Sequence, residues 1–251
     1  MKRIIKILVP ASLLAWRRTI LNKMIEKRRA AQTREKVFTE IYVNNVWGGA
    51  KGEFCSGDGS RDEQIIAAYV QEISARIKKS NIQDASFVDL GCGDFHVGKQ
   101  LLPLCRKYKG VDVVKTLVDC NIRSYGNEKV SFEALDIVED ALPDGEVCFV
   151  RQVLQHLSNE EIVAILRKLK KYKLVFITEH YPCDNAKIIP NIDKVHGSCV
   201  RVSRYSGVYL TLPPFSIPEP ELDLVLEVPG TKLGKDALPS VIRTYLYQPL
   251  T

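Results

Sequence analysis

The 251-residue chain contains no C-x-x-C pair. Its seven cysteines stand singly, at 55, 92, 105, 120, 148, 183 and 199, and read as reduced, mostly buried thiols of a reducing, cytoplasmic compartment. Four histidines (96, 156, 180 and 196) lack metal-ligand spacing, so no metal site is expected. Long apolar runs are missing too. The best, Ile7 to Trp16, is about ten residues, too short to span a bilayer. Arg17 and Arg18 follow it where a cleaved signal would need small residues. A net basic charge is missing outside the N-terminus. Residues 1–36 hold eleven Lys/Arg against two Glu, +9 of the net +6, which leaves −3 for the remaining 215 residues. A nucleic-acid enzyme would carry basic charge around its site, so no nucleic-acid partner is expected.

What is present begins with an arm over 1–36. From Ser12, apolar Leu13, Leu14, Trp16, Ile20, Leu21, Met24 and Ile25 interleave with Arg17, Arg18, Lys23 and Lys27. This predicts a basic amphipathic helix, which either lies on the inner face of a membrane through residues 1–30 or packs on its own domain or a partner. A flap and helical cap follow over 37–80. The flap has five glycines and two large aromatics, Trp47 and Phe54, a composition suited to placing an aromatic near a ligand. A helix over 61–80 is expected, with Ser60 as N-cap and Glu63 completing a capping box.

From residue 81 the chain alternates strand and helix. Strands are expected at 86–90, 109–114, 130–135, 147–151 and 173–178, with helices near 97–107, 115–126 and 158–171. This rhythm implies a parallel sheet with right-handed crossovers. Residues 179–220, with six prolines, read as an irregular insert that builds much of a ligand pocket. Two further strands, 221–228 and 240–247, are too close in sequence for a helical crossover and should be antiparallel.

The stretch that organises the rest is Asp89-Leu-Gly91-Cys92-Gly93. An apolar strand runs into a Gly-x-Gly turn and then a helix start, where a ligand can approach main chain without meeting a Cβ. Acids recur at the following strand ends. Asp112 is placed for a ribose diol, and Asp136 for an exocyclic amine. A turn for an amino-acid-like end, an acid for a ribose and an acid for an adenine match S-adenosylmethionine better than a dinucleotide.

On these residues the chain resembles the class I S-adenosylmethionine-dependent methyltransferases over about 86–180. The family's first motif, roughly D-x-G-x-G-x-G, stands here as Asp89-Leu-Gly-Cys-Gly-Asp-Phe95, with Phe95 in place of the third glycine. The resemblance implies a doubly wound, mostly parallel Rossmann-like α/β sheet of about seven strands, an antiparallel last strand and added N-terminal helices. It implies a cofactor site at Asp89, Gly91, Cys92, Gly93, Asp112, Val113, Asp136, Ile137 and Gln152, with Trp47 from the flap. The flap and Ser206–Phe215 also look like a bacterial subgroup tied to glycan or small-molecule modification. The implied activity is O-methylation of a sugar or other small polar acceptor, lipid-linked if the arm meets a membrane.

A hydroxyl acceptor must lose a proton, so His156, after the fourth strand, and His180, after the fifth, are candidate general bases; His156 is equally a local cap. Tyr181, Asp193, His196 and Arg201 are candidate acceptor contacts, and Asp193 and His196 could instead order the insert. A protein or RNA methyltransferase and a non-catalytic partner subunit remain as alternatives. Oligomeric state is left open.

Overall fold

The computed structural model describes residues 21, 24–80, 82, 84–183, 187–230 and 238–249. The predicted amphipathic helix of the arm lies mostly outside them. Within them, 24–30 is helical, and Leu21, Met24 and Ile25 expose their side chains.

Seven strands form one sheet in the order β3-β2-β1-β4-β5-β7-β6. They are β1 (Ser86–Leu90), β2 (Lys107–Asp112), β3 (Val130–Ala134), β4 (Val147–Arg151), β5 (Leu174–Pro182), β6 (Leu222–Pro229) and β7 (Ser240–Tyr247). The first five pair in parallel, and β7 runs antiparallel between β5 and β6. The central strands are apolar on both faces, as a sheet covered on both sides requires. The class I methyltransferase topology, including its antiparallel seventh strand, is the one expected.

Helices cover the two faces. α1 (Arg34–Val43) supplies Val37, Phe38, Ile41 and Tyr42 to one core, together with Ile162, Ile165 and Leu166 of α5 (Asn159–Leu169). α2 (Glu63–Lys79) supplies Tyr69, Ile73 and Ile77 to the other. α4 (Lys115–Tyr125) contributes to both through Leu117 and Val118. The N-cap of α2 is Asp62, which accepts from the backbone of Gln64 and Ile65; Ser60 lies in the preceding 3-10 turn. Ser158 forms a complete capping box with Glu161 at the start of α5.

Two other expectations are corrected. The helix after the glycine turn is one turn of α-helix, α3 (Gly98–Leu101), passing into a 3-10 turn at 102–104. Pro103, without an N–H, cannot continue the α ladder. The fifth strand extends through Pro182, because Glu179, His180 and Tyr181 pair with Arg243, Ile242 and Val241 of β7. These three residues are therefore sheet residues rather than the start of a loop.

Candidate active site

A cleft with about 1080 Å³ of empty space, its open mouth included, lies at the carboxyl ends of β1, β2 and β4. This is where an open parallel sheet places ligands. α1, the flap and the start of α2 roof it.

The floor is the glycine turn. The N–H groups of Gly91 and Cys92 both donate to the Val111 carbonyl, at 2.8 and 3.0 Å, which folds the turn back over β2. Gly91 and Gly93 have φ of +73° and +54°. A Cβ on Gly91 would collide with Val153, and one on Gly93 with Ser56, so glycine is required by conformation and by space. Phe95, in the place of the family's third glycine, adopts the left-handed conformation at φ +60°. Its ring turns away from the cleft into the core, packing on Tyr108, Tyr125 and Phe132 with centroids 4.9–5.2 Å apart. The departure from the motif is thus absorbed by an aromatic cluster and leaves the cleft wall intact.

The acids behave differently from one another. Asp89 is buried and accepts a hydrogen bond from the Tyr108 hydroxyl. Burial, only partly offset by that bond and by the nearby Arg151, pushes its pKa up to about 6. Asp112 is equally buried and braces the turn. Its Oδ2 accepts from Gly93 N at 3.1 Å and its Oδ1 from Val114 N at 3.0 Å. Each oxygen keeps a lone pair, and the carboxylate lines the cleft. Asp136 lines the cleft beside Ile137. Its carboxylate is also held by Arg34 Nε, at 2.8 and 3.0 Å, and by Val138 N at 3.0 Å. Val113 and Gln152 line the same wall, Gln152 from a left-handed backbone at φ +56°.

The roof is aromatic. Trp47 packs edge-on to Tyr42 and against Phe38, and its ring lies 5.0 Å from that of His156. Ser56 accepts from Asp94 N at 3.0 Å and is hydrogen-bonded to the Tyr42 hydroxyl, tying the flap to the turn. Arg34, at the first turn of α1, fastens the roof to the far wall. It meets Asp136, Glu139 and Glu161 at 2.7–2.9 Å.

His156 lines the cleft. Its Nδ1 donates to the Gly197 carbonyl at 3.1 Å, and its unprotonated Nε2 accepts from Gln155 Nε2 at 3.4 Å. Burial and the nearby Lys194 lower its pKa to about 3, so the ring is neutral at physiological pH. A group so reluctant to protonate orients a hydroxyl well but is a weak proton acceptor.

The other acceptor-side expectations are corrected. His180 does not line the cleft; it sits inside β5 with Nε2 on Ser240 Oγ at 2.8 Å, and burial lowers its pKa to about 4. Tyr181 is buried, its hydroxyl donating to the Val208 carbonyl at 2.8 Å. Asp193 accepts from Asn159 N at 2.8 Å, at the start of α5. His196 donates to Glu161 Oε1 at 2.8 Å. Arg201 donates to the carbonyls of Leu154, Leu157 and Ile192 and to the Asn159 side chain, at 2.8–3.1 Å. These side chains hold the insert to the protein, and no described residue of 179–220 lines the cleft.

Several cleft residues were not foreseen: Arg34, Ser56, Tyr69, Asp94 and Arg151. Arg151 had a legible signal, since it is a charge ending an apolar strand at the ligand-binding edge of a parallel sheet. Arg34 had none, being one of eleven basic residues in the arm. Among the described residues, no group of three His, Cys, Asp or Glu could hold a metal ion, and no helix is long and apolar enough to cross a membrane.

No protein-family profile and no curated protein matches the sequence. Solved structures do. The N-methyltransferase NodS from Bradyrhizobium japonicum WM9 superposes with a TM-score of 0.50 at 14% identity, covering 75% of this chain and 99% of NodS. NodS in complex with S-adenosyl-L-homocysteine gives 0.50 at 14% identity, covering 76% of this chain and 93% of that one. The likeness is one of fold, and with the strand order it establishes that this chain has the class I S-adenosylmethionine-dependent methyltransferase fold.

Proposed function

We propose that the protein is an S-adenosylmethionine-dependent methyltransferase acting on a small polar acceptor, such as a sugar hydroxyl. The observation that carries this reading is the convergence of the glycine turn, Asp89, Asp112 and Asp136 on one roofed cleft. The glycines let the turn pack closely under Val153 and Ser56, and the acids supply acceptors for an ammonium, a ribose diol and an adenine amine. Asp89 with residues 91–93 holds the amino-acid end. Asp112 holds the ribose. Asp136, shared with Arg34, and the apolar Val113 and Ile137 hold the base. Once bound, the cofactor supplies a methyl group already activated on a sulfonium. The protein's share is therefore orientation and exclusion of water, which the aromatic roof of Phe38, Tyr42 and Trp47 serves.

Trp47 and His156, in contact with each other at the cleft, support a small acceptor: an indole face suits the C–H face of a sugar, and a neutral imidazole suits a hydroxyl. The net acidic body speaks against nucleic acid. Titration calorimetry with S-adenosylhomocysteine tests the cofactor reading, with one-to-one binding expected; no heat at millimolar ligand would sink it. Methyl transfer from labelled cofactor to a panel of sugars and small alcohols tests the acceptor. Binding without transfer to any of them would favour a non-catalytic subunit.

A further inference from the structure

Arg151 is a half-buried cation whose Nε is fully enclosed. Among the described residues lining the cleft, it alone has a deeply buried side-chain nitrogen, Nε, without a hydrogen-bond partner. Its Nη2 donates to the Gly59 carbonyl at 2.9 Å, and the guanidinium lies 5.4 Å over the Tyr69 ring. No acid among the described residues bridges it. The two acids that act on it electrostatically do not bridge it, and in Asp89 only Oδ2 is engaged. Asp89 accepts from Tyr108, and Glu179 accepts from Leu154 N and Gln155 N at 2.7 and 3.1 Å. The other two arginines of this region, by contrast, are paired: Arg34 with three carboxylates and Arg61 with Asp94 at 2.6 Å.

A guanidinium with an enclosed, unpartnered Nε is costly, and an arginine does not escape by losing its proton. A ligand that brought an anionic group to it would offset that cost. Position narrows the ligand. Arg151 ends β4, where Val150 is in register with Leu90, so it stands level with the start of the glycine turn. Asp89 is on the neighbouring strand, near enough to act on Arg151 but not bridged to it. A carboxylate and a guanidinium side by side, each free of the other, complement a zwitterion. A phosphate would gain Arg151 but suffer repulsion from Asp89, and from Asp112 and Asp94 nearby.

We infer that Arg151 binds the α-carboxylate of an amino-acid head group seated at the glycine turn, with Asp89 taking its ammonium. The inference rests on the cofactor reading above and assigns its carboxylate contact to a residue at the end of β4. The flap takes part, because Gly59 fixes the guanidinium through its carbonyl.

The test compares two ligands on the full chain by calorimetry: S-adenosylhomocysteine, and 5′-methylthioadenosine, which has the same nucleoside and thioether but no amino-acid head. Arg151→Met should weaken S-adenosylhomocysteine about tenfold to a hundredfold and leave methylthioadenosine within about threefold, the range expected for losing a charge-assisted hydrogen bond. Arg151→Lys, which keeps charge without the fork, should fall between. If the Met variant does not fold, the methyl ester of S-adenosylhomocysteine on the unaltered protein makes the same comparison, with at least a tenfold loss expected. Equal weakening of both ligands, or no weakening of either, overturns the inference while leaving the cofactor reading in place. Failure of the unaltered protein to bind either ligand overturns both.

Discussion

Two irregular stretches frame this molecule, the flap over 44–60 and the segment over 183–220. Both are rich in turn-forming residues, and both looked suited to holding a ligand. Among the described residues of the two, only those of the flap face the cleft. Its glycines at 48, 49, 52 and 57 all have positive φ, and the Asn45 side chain gathers the carbonyls of Gly48, Ala50 and Glu53. The backbone is therefore satisfied locally, and Trp47, Ser56 and Ser60 are left to line the site. The later segment directs its polar groups at its own backbone and at the start of α5. Asn191 takes the carbonyls of Tyr209, Leu212 and Pro213, and Arg201 takes three more. Polar irregularity signals that a chain must satisfy its backbone without a ladder. It does not say whether anything is left over for a ligand.

That contrast can be broken by experiment, and the largest effect should come from the later segment. Arg201→Met removes a buried donor from four acceptors and should cost about 3 kcal/mol, a fall in Tm of roughly 10 °C, with S-adenosylhomocysteine affinity of the folded protein unchanged. A tenfold loss of affinity instead would return the segment to the site. Asp112→Ala sharpens the other side. It should weaken S-adenosylhomocysteine roughly thirtyfold, about 2 kcal/mol, through the lost ribose acceptor and the loosened turn. Unchanged affinity in calorimetry would remove Asp112 from the binding surface. The smallest effect is with pH. The Asp89 carboxyl, raised to about 6 by burial, is ionised above that value and neutral below it. An ammonium needs the ionised form, so affinity should be fully present at pH 7 and about tenfold lower at pH 5, since each unit below the pKa cuts the charged fraction nearly tenfold. A flat profile over that range would mean that Asp89 does not meet the ammonium.

The fold was legible because hydrophobic periodicity and strand spacing are local. The five parallel strands and the antiparallel hairpin appear where apolar runs and turn residues predict them. The floor of the cleft was legible for a related reason. In a parallel sheet every strand ends at the same edge, so Asp89, Asp112 and Asp136 are brought together by topology alone. The placement of the residues after the expected fifth strand was not. His180 and Tyr181 follow an apparent strand end at Thr178, yet β7 continues to pair with them, and pairing between strands about 60 residues apart leaves no mark on either. Arg34 is another such case. Three acids more than a hundred residues away distinguish it from the other cations of the arm, and no spacing records them.

By itself the sequence determined the order of strands and helices, the glycine turn and the acids that follow it, because those depend on residues close in the chain and on the one rule that parallel strands share an edge. Tertiary structure alone decided which charges are spent and which are free. Arg201 is used up on carbonyls, Arg34 on carboxylates, and Arg151 is left facing the cleft. Whether a buried ion is paired depends on partners distant in sequence and on the loss of water around it, and both exist only once the chain has folded.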